Sequence, residues 1–162
     1  WSLLVKDVPE DKHQDLDFIV GQLDWDKNID PSFKASNYLE PVIADQGDGW
    51  TDRWIVYGTV NGEQLFSARE LTVQPGASCR LQDAGASGWI TVQGKGRIGT
   101  LDLQAPTLIR FGEDTTDEVF ISWLAATNGV EVANLGSEPL VGLRYFGPNV
   151  FKSLPAVGDH RS

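Results

Sequence analysis

The sequence contains no methionine, one cysteine (Cys79) and two histidines among its 162 residues. A single cysteine excludes an internal disulfide framework. No stretch approaches the roughly 18 consecutive apolar residues of a membrane-spanning helix, and the chain does not open on a charged-then-apolar signal segment. These absences predict a cytoplasmic protein. Because residue 1 is Trp and no initiator methionine is present, we expect the chain to be a domain of a larger protein.

Basic residues are also scarce. Lysine and arginine number 13 against 23 acidic residues, which gives a formal net charge of −10, and the basic residues are scattered singly. A field of this sign repels nucleic acids and anionic lipid surfaces unless a local basic patch overrides it. The sequence therefore predicts neither a nucleic-acid partner nor a membrane partner.

The shortage of histidine limits the catalytic chemistry that can be expected. A serine or cysteine nucleophile needs a neighbouring base, but His13 and His160 lie near the two ends of the chain, far from the strand-like segments. Cys79 is interpreted as a small buried apolar residue. No catalytic residue is predicted from the side chains alone.

What the sequence does contain is a regular pattern of short strand-like segments from Trp54 to Phe146. Runs of β-branched and aromatic residues are interrupted about every 8 to 12 residues by Gly, Pro, Asn or Asp, which is typical of an all-β barrel or sandwich. Asn61-Gly62 is a strong hairpin signal. Gly94–Gly99 has the letters of a dinucleotide-binding fingerprint, but alternating residues follow it rather than a helix, so a glycine-rich hairpin is predicted there.

The first 50 residues have a different pattern. Apolar residues between Leu16 and Leu23 recur with helical spacing, which predicts one helix over residues 10–23, followed by an extended arm that wraps a surface. The sequence thus predicts three parts: an N-terminal helix and arm over 1–50, a β-barrel over 51–150 and a polar tail over 151–162.

From Glu70 to Pro148 the chain resembles the cupin superfamily. The resemblance rests on three segments: Leu71–Gly76, Gly88–Gly96, and Ala133–Leu140, which is similar to the second cupin motif. A weaker similarity, to sugar isomerases of the mannose-6-phosphate isomerase type, rests on the acidic, Trp-rich composition and the Gly147-Pro148 ending. The resemblance implies a cupin-type β-barrel, or jelly roll.

Cupins typically hold a divalent metal through a His-x-His pair, a glutamate and a further histidine. In this chain those positions fall at Leu81 or Gln82, at Asp83 or Ala84, at Ser87 or Gly88, and at Val130. Imidazole-bound transition metals need more ligands than these residues supply, so neither a metal nor another cofactor is expected. Strand alternation places Trp89 and Thr91 on one face, with Trp89 filling the metal position of an otherwise apolar cavity.

Three functions follow as hypotheses. The first is a metal-free cupin domain that packs against a companion barrel or a second copy, or binds a small, possibly sugar-like ligand through Gln82, Asp83, Trp89, Thr91 and Arg144. The second is a sugar or sugar-phosphate isomerase-like enzyme with an oxygen-rich metal site. Its metal ligands would be Asp83, Glu113 and Glu118. The third is a purely structural dimerisation barrel.

Overall fold

The computed structural model describes residues 1–108 and 111–156. One compact unit comprises Trp1–Tyr38, and a second begins at Leu39. The expected boundary at residue 50 thus falls inside the first hairpin of the barrel. In the first unit, a short 3-10 helix over Glu10–Lys12 is followed by three helices: α1 (Leu16–Gly21), α2 (Trp25–Ile29) and α3 (Phe33–Asn37).

The prediction of a single helix over residues 10–23 is wrong, because aspartates start new helices. The Asp15 carboxylate caps α1 by accepting a hydrogen bond from the backbone N–H of Phe18. The Asp24 carboxylate caps α2 by accepting one from the backbone N–H of Lys27. Aspartate competes with the helix backbone at interior positions and stabilises helix N-termini instead. The expected extended arm is likewise replaced by α2, α3 and a strand. Within the described residues, no helix has the length and apolar character needed to cross a membrane.

The second unit is built from strands. They are β1 (Val42–Gly47), β2 (Trp50–Val56), β3 (Ser67–Val73), β4 (Ser78–Leu81), β5 (Ser87–Ile98), β6 (Leu101–Ala105), β7 (Glu118–Ile121), β8 (Val130–Asn134) and β9 (Leu140–Phe146), with the short helix α4 (Trp123–Asn128) between β7 and β8. This confirms the prediction of an all-β architecture.

The strands form a nearly closed antiparallel barrel in the order β1-β2-β3-β9-β5-β8-β4, with β6 and β7 also paired to β5. The 12-residue strand β5 joins the two halves: its first part pairs with β9 and β7, and its second part pairs with β6 and β8. The turn residues behave as predicted. Asn61 and Gly62 both have positive φ, as a tight hairpin requires. Residues 94–98 are the second part of β5 and pair with β6 in a hairpin, with Gly99 at the turn.

The register of the central strands defines the inner face of the barrel. Residues directly opposite one another in antiparallel strands share a face. Trp54 is opposite Arg69, Arg69 is opposite Arg144, and Arg144 is opposite Trp89, so these four side chains form one row across β2, β3, β9 and β5. The rows beyond it toward the far end of the barrel are mostly apolar and include Leu71, Val73 and Leu140, all fully buried.

Gly142 on β9 makes room for the Trp89 indole. A Cβ atom built on Gly142 would lie only 2.1 Å from Cζ2 of Trp89, so the ring covers the glycine backbone. Gly142 is therefore required by space and not by its φ angle. It allows the largest side chain of the inner face to be fully buried.

We expect Gly142→Ala to lower the free energy of unfolding by about 1–3 kcal/mol, because the new methyl group overpacks the interior against Trp89. Urea unfolding measures the change. The matched control is Gly147→Ala, since nothing lies within 4 Å of a Cβ atom at Gly147, and its stability should change by less than about 0.5 kcal/mol. Equal stabilities of the two variants would contradict this packing.

Candidate functional site

Four charged side chains meet inside the barrel; Asp52, Arg69, Asp83 and Arg144 are called the ion cluster here. Arg144 is only 1% exposed. Its Nη1 donates to Oδ2 of Asp52 at 2.6 Å, and its Nη2 donates to Oδ2 of Asp83. Nη1 of Arg69 donates to the same Oδ2 of Asp52 at 3.1 Å. Two positive and two negative groups thus form one connected network with no net charge.

Strand alternation and one loop contact position these groups. Asp52 lies between Trp50 and Trp54 on β2, at an inward position of the alternating pattern. Asp83 follows β4, and its backbone N–H donates to the carbonyl oxygen of Ala126 at 3.1 Å, which holds its loop over the barrel end. Burial lowers the pKa of Arg69, and the charge of Asp52 partly opposes that effect.

Five buried polar atoms of the inner face have no hydrogen-bond partner among the described residues. They are Oδ1 of Asp52, Nε of Arg69, Nε of Arg144, and the hydroxyl oxygens of Ser67 and Ser87. The two serines flank Phe146 in the row next to the arginines, since Ser67 and Ser87 are both opposite Phe146. Native interiors satisfy most buried polar atoms, so this concentration distinguishes a polar end of the barrel from its apolar end.

The structure brings four of the five predicted ligand-binding residues to the inner face. Asp83 and Arg144 belong to the ion cluster. Trp89 is fully buried, and its Nε1–H donates to Oγ1 of Thr91 at 2.8 Å. Gln82 is instead exposed, and its side-chain amide donates to the carbonyl oxygen of Thr127. The alternation of β5 therefore places Trp89 and Thr91 inward, as expected.

Sequence reasoning missed Asp52, Arg69, Ser67 and Ser87, and the expectation of an apolar cavity is wrong. The alternation of inward and outward side chains along a strand was the signal that could have identified some of these residues. Ser67, Arg69 and Leu71 occupy every second position of β3, so once Leu71 is assigned to the core the other two must also point inward. The charged interior follows from combining that rule with the strand register, which only the fold supplies.

A segment after β9 covers the polar end of the barrel; residues 149–156 are called the strap. Phe151 of the strap packs edge-on against Trp54 and Phe146, at centroid distances of 4.7 and 4.8 Å. Its ring lies 4.4 Å from the guanidinium carbon of Arg69. Gln64 donates to the carbonyl oxygen of Phe151 at 3.2 Å and accepts from its N–H at 3.3 Å.

The predicted polar tail over residues 151–162 begins with an aromatic residue. Phe151 packs against the barrel end, where its ring forms an aromatic group with Trp54 and Phe146. Residues 157–162 of the predicted tail, including His160, lie outside the described residues.

The residues at the expected metal positions do not fit a divalent metal ion. Leu81 is part of the apolar core, Gln82 faces outward, and the Asp83 carboxylate is bound to Arg144. Two guanidinium groups occupy the centre beside only two carboxylates, and neither thiolate nor imidazole is present in the cluster. The described residues include no group of three or more His, Cys, Asp or Glu side chains that could hold a metal.

The oxygen-rich alternative site is not assembled either. Asp83 points into the barrel. Glu118 lies opposite Ile90 on β5 at an exposed position, and Glu113 lies in an exposed turn before β7. Alternation explains the separation, because residues such as Trp89 and Ile90 that are adjacent on one strand face opposite sides of the sheet.

Comparisons with known proteins concern the fold. No protein-family model and no curated protein matches the sequence. Among solved structures, oxalate decarboxylase from Lactobacillus farciminis is similar, with 24% identity, a TM-score of 0.48, and coverage of 73% of this chain and 33% of that one. Oxalate decarboxylase from Bacillus subtilis has 21% identity and a TM-score of 0.46, with coverage of 67% of this chain and 27% of that one. The polyketide cyclase RemF from Streptomyces resistomycificus has 14% identity and a TM-score of 0.46, with coverage of 74% of this chain and 78% of that one.

The chain thus spans about a third or less of the oxalate decarboxylases that it resembles. The likenesses are distant and say nothing about chemistry. The strand order and register described above define the class: a nearly closed, antiparallel all-β barrel with N-terminal helices. No described feature supports the similarity to sugar isomerases.

Removing the central cation should destabilise the barrel strongly. We expect Arg144→Met to lower the free energy of unfolding by about 3–5 kcal/mol, because the buried Asp83 loses its guanidinium partner and Asp52 keeps only Arg69. The control is Arg97→Met, since the Arg97–Asp102 pair is exposed and 3.5 Å long, and such pairs contribute about 1 kcal/mol or less. Urea unfolding that gave the same loss for both variants would contradict a buried cluster.

Cys79 should be unreactive in the folded protein. Burial raises the pKa of its thiol to about 12, so at pH 8 fewer than about one thiol in a thousand is ionised, against a sizeable fraction in an unfolded chain. We expect slow iodoacetamide labelling in buffer and rapid labelling in urea. Because the folded pKa is raised, the stability that this thiol contributes should be present below pH 9 and be lost as the pH rises toward 12. Rapid native labelling would contradict this.

Proposed function

We propose that this chain is a cupin-type domain that binds a small polar ligand at the ion cluster without a metal ion. The observation that carries the proposal is the set of unpartnered polar atoms on the inner face: Oδ1 of Asp52, Nε of Arg69, Nε of Arg144, and the hydroxyls of Ser67 and Ser87. Buried polar atoms without partners are destabilising unless something hydrogen-bonds to them. A ligand that supplies those bonds is stabilised by the same atoms.

The donor and acceptor types restrict the ligand. The two Nε–H groups are donors, the two serine hydroxyls donate or accept, and Oδ1 of Asp52 only accepts. The ion cluster carries no net charge, so it does not select a multiply charged anion. A compact molecule with several acceptor oxygens and at least one hydroxyl donor matches this set. Polyols, small sugars and hydroxy acids belong to that class, in keeping with the first sequence hypothesis.

The five predicted contact residues have different roles in this proposal. Asp83 and Arg144 hold the cluster together. Trp89 donates a hydrogen bond to Thr91, and its indole ring covers Gly142. These two residues therefore support the inner row and do not stack on a ligand. Gln82 lies outside the barrel and takes no part.

A structural barrel is the second candidate, and a specific observation favours it. Trp89 and Arg144 are fully or almost fully buried, and the charged groups already pair with one another. An interior filled in this way needs no ligand to fold. Association with a companion barrel or a second copy, and a cytoplasmic location, stay predictions under either candidate.

A thermal-shift panel separates the two candidates. We expect neutral sugars, polyols or hydroxy acids to raise the melting temperature in a concentration-dependent way, as mass action requires for a ligand of the folded state. Multiply charged sugar phosphates serve as the contrast. If no member of the panel changes the melting temperature, the structural barrel is the better account.

The serine hydroxyls provide the matched variants. The double variant Ser67→Ala with Ser87→Ala should keep or raise stability, because it removes unpaired buried hydroxyls, while it abolishes the ligand-induced shift. The control is Ser78→Ala, whose side chain is exposed on β4 and should leave both properties unchanged. A double variant that responds to the ligand like the parent protein would contradict binding at this site.

A further inference from the structure

We propose that Phe151 is a gate: the strap can leave the barrel end locally and open a path from an outer cavity to the ion cluster. The outer cavity has a volume of about 690 Å³ and lies between the connection from β2 to β3 and the strap. Gly58, Thr59, Gly62, Gln64, Asn149 and Phe151 contribute to its lining. The use of this path by a ligand rests on the proposed binding function, but the opening itself does not.

Phe151 reaches both sides of the closure. It lines the outer cavity, and its ring also contacts inner-face residues: Trp54 and Phe146 by edge-on packing and Arg69 by a cation–π contact. One aromatic ring therefore separates the outer cavity from a guanidinium of the ion cluster. Moving that ring exposes Arg69 without breaking any of the ion pairs.

The strap is attached more weakly than the strands beneath it. Within the described part of the chain it pairs with no strand, and its hydrogen bonds to the barrel there are the two between Gln64 and the Phe151 backbone, at 3.2 and 3.3 Å. Val150 packs against Gly85, where a Cβ atom would come within 2.9 Å of the valine side chain. Segments with few buried contacts and few ladder hydrogen bonds open at lower free energy than the core.

Among the described residues, the opposite end of the barrel is closed by apolar side chains. Val73, Leu140 and Val132 are all fully buried there and belong to one continuous apolar cluster with Leu103. A polar molecule passing that way would have to displace several β-strand side chains at once. The strap end therefore provides the route of lower free energy to the buried charges.

Hydrogen exchange of the Trp89 indole tests the gate without any ligand. That N–H lies inside the barrel, bonded to Thr91, and exchanges only when water reaches the inner row. We expect Phe151→Ala to speed its exchange by about tenfold or more, because the local opening becomes easier. The backbone amide of Val132 on β8 reports global unfolding in the same spectra, so its protection shows how much of the change is local.

Two further variants sharpen the result. Gln64→Ala keeps the Phe151 ring but removes both hydrogen bonds to the strap, and it should also speed exchange of the Trp89 indole relative to the Val132 amide. Phe120→Ala is the control, because Phe120 is 74% exposed on the outer side of β7, and it should change neither rate. If the indole and the Val132 amide change in parallel in every variant, exchange requires global unfolding and the gate does not exist.

This experiment is independent of the thermal-shift panel. Local opening without any ligand-induced change in melting temperature would support the gate and contradict the proposed binding function. A ligand-induced change in melting temperature without local opening would support the binding function and contradict the gate. Access to the ion cluster would then depend on unfolding of the whole barrel.

Discussion

The bond pattern of Arg144 is the constraint on which the barrel depends. One guanidinium on β9 holds Asp52 from β2 and Asp83 from the loop after β4, so three distant parts of the chain meet at one side chain. Charges this deeply buried are stable only when they are paired. Alternative registers of β2, β3 or β9 would turn these charges outward or leave them unpaired, because a one-residue shift reverses the face of every side chain. The ion cluster therefore specifies the register as well as occupying the interior.

The same cluster explains why a metal does not suit this interior. A cation site needs several anionic or neutral donors converging on one point, whereas here each carboxylate in the centre already faces a guanidinium. In the proposed function, the atoms that the network leaves unpartnered are the recognition elements, and they favour uncharged or weakly charged polar molecules. In the proposed gate, the strap determines access to the ion cluster, because Phe151 covers the polar end of the barrel.

Local sequence patterns predicted the strand-rich architecture and several turns correctly, since these depend on neighbours only a few residues away. The Asn61-Gly62 turn and the glycine-rich hairpin near Gly94 are examples. The N-terminal helix was misjudged because apolar spacing was given more weight than the capping aspartates Asp15 and Asp24. Of the predicted contact residues, Trp89 and Thr91 followed from alternation along β5, whereas Gln82 and Asp83, in the loop after β4, lay beyond the reach of that rule.

By itself the sequence determined the strand content, the turn positions, the shortage of imidazole ligands and the placement of Trp89 and Thr91 on a common face. Each of these depends on residue type and on spacing within one segment. The pairing of Arg144 with Asp52 and Asp83, the close approach of Trp89 to Gly142 and the closure by Phe151 were decided only by the tertiary structure. These contacts join residues that are 53 to 97 positions apart in the sequence. Strand register and the paths of the loops bring them into contact, and no local pattern encodes either one.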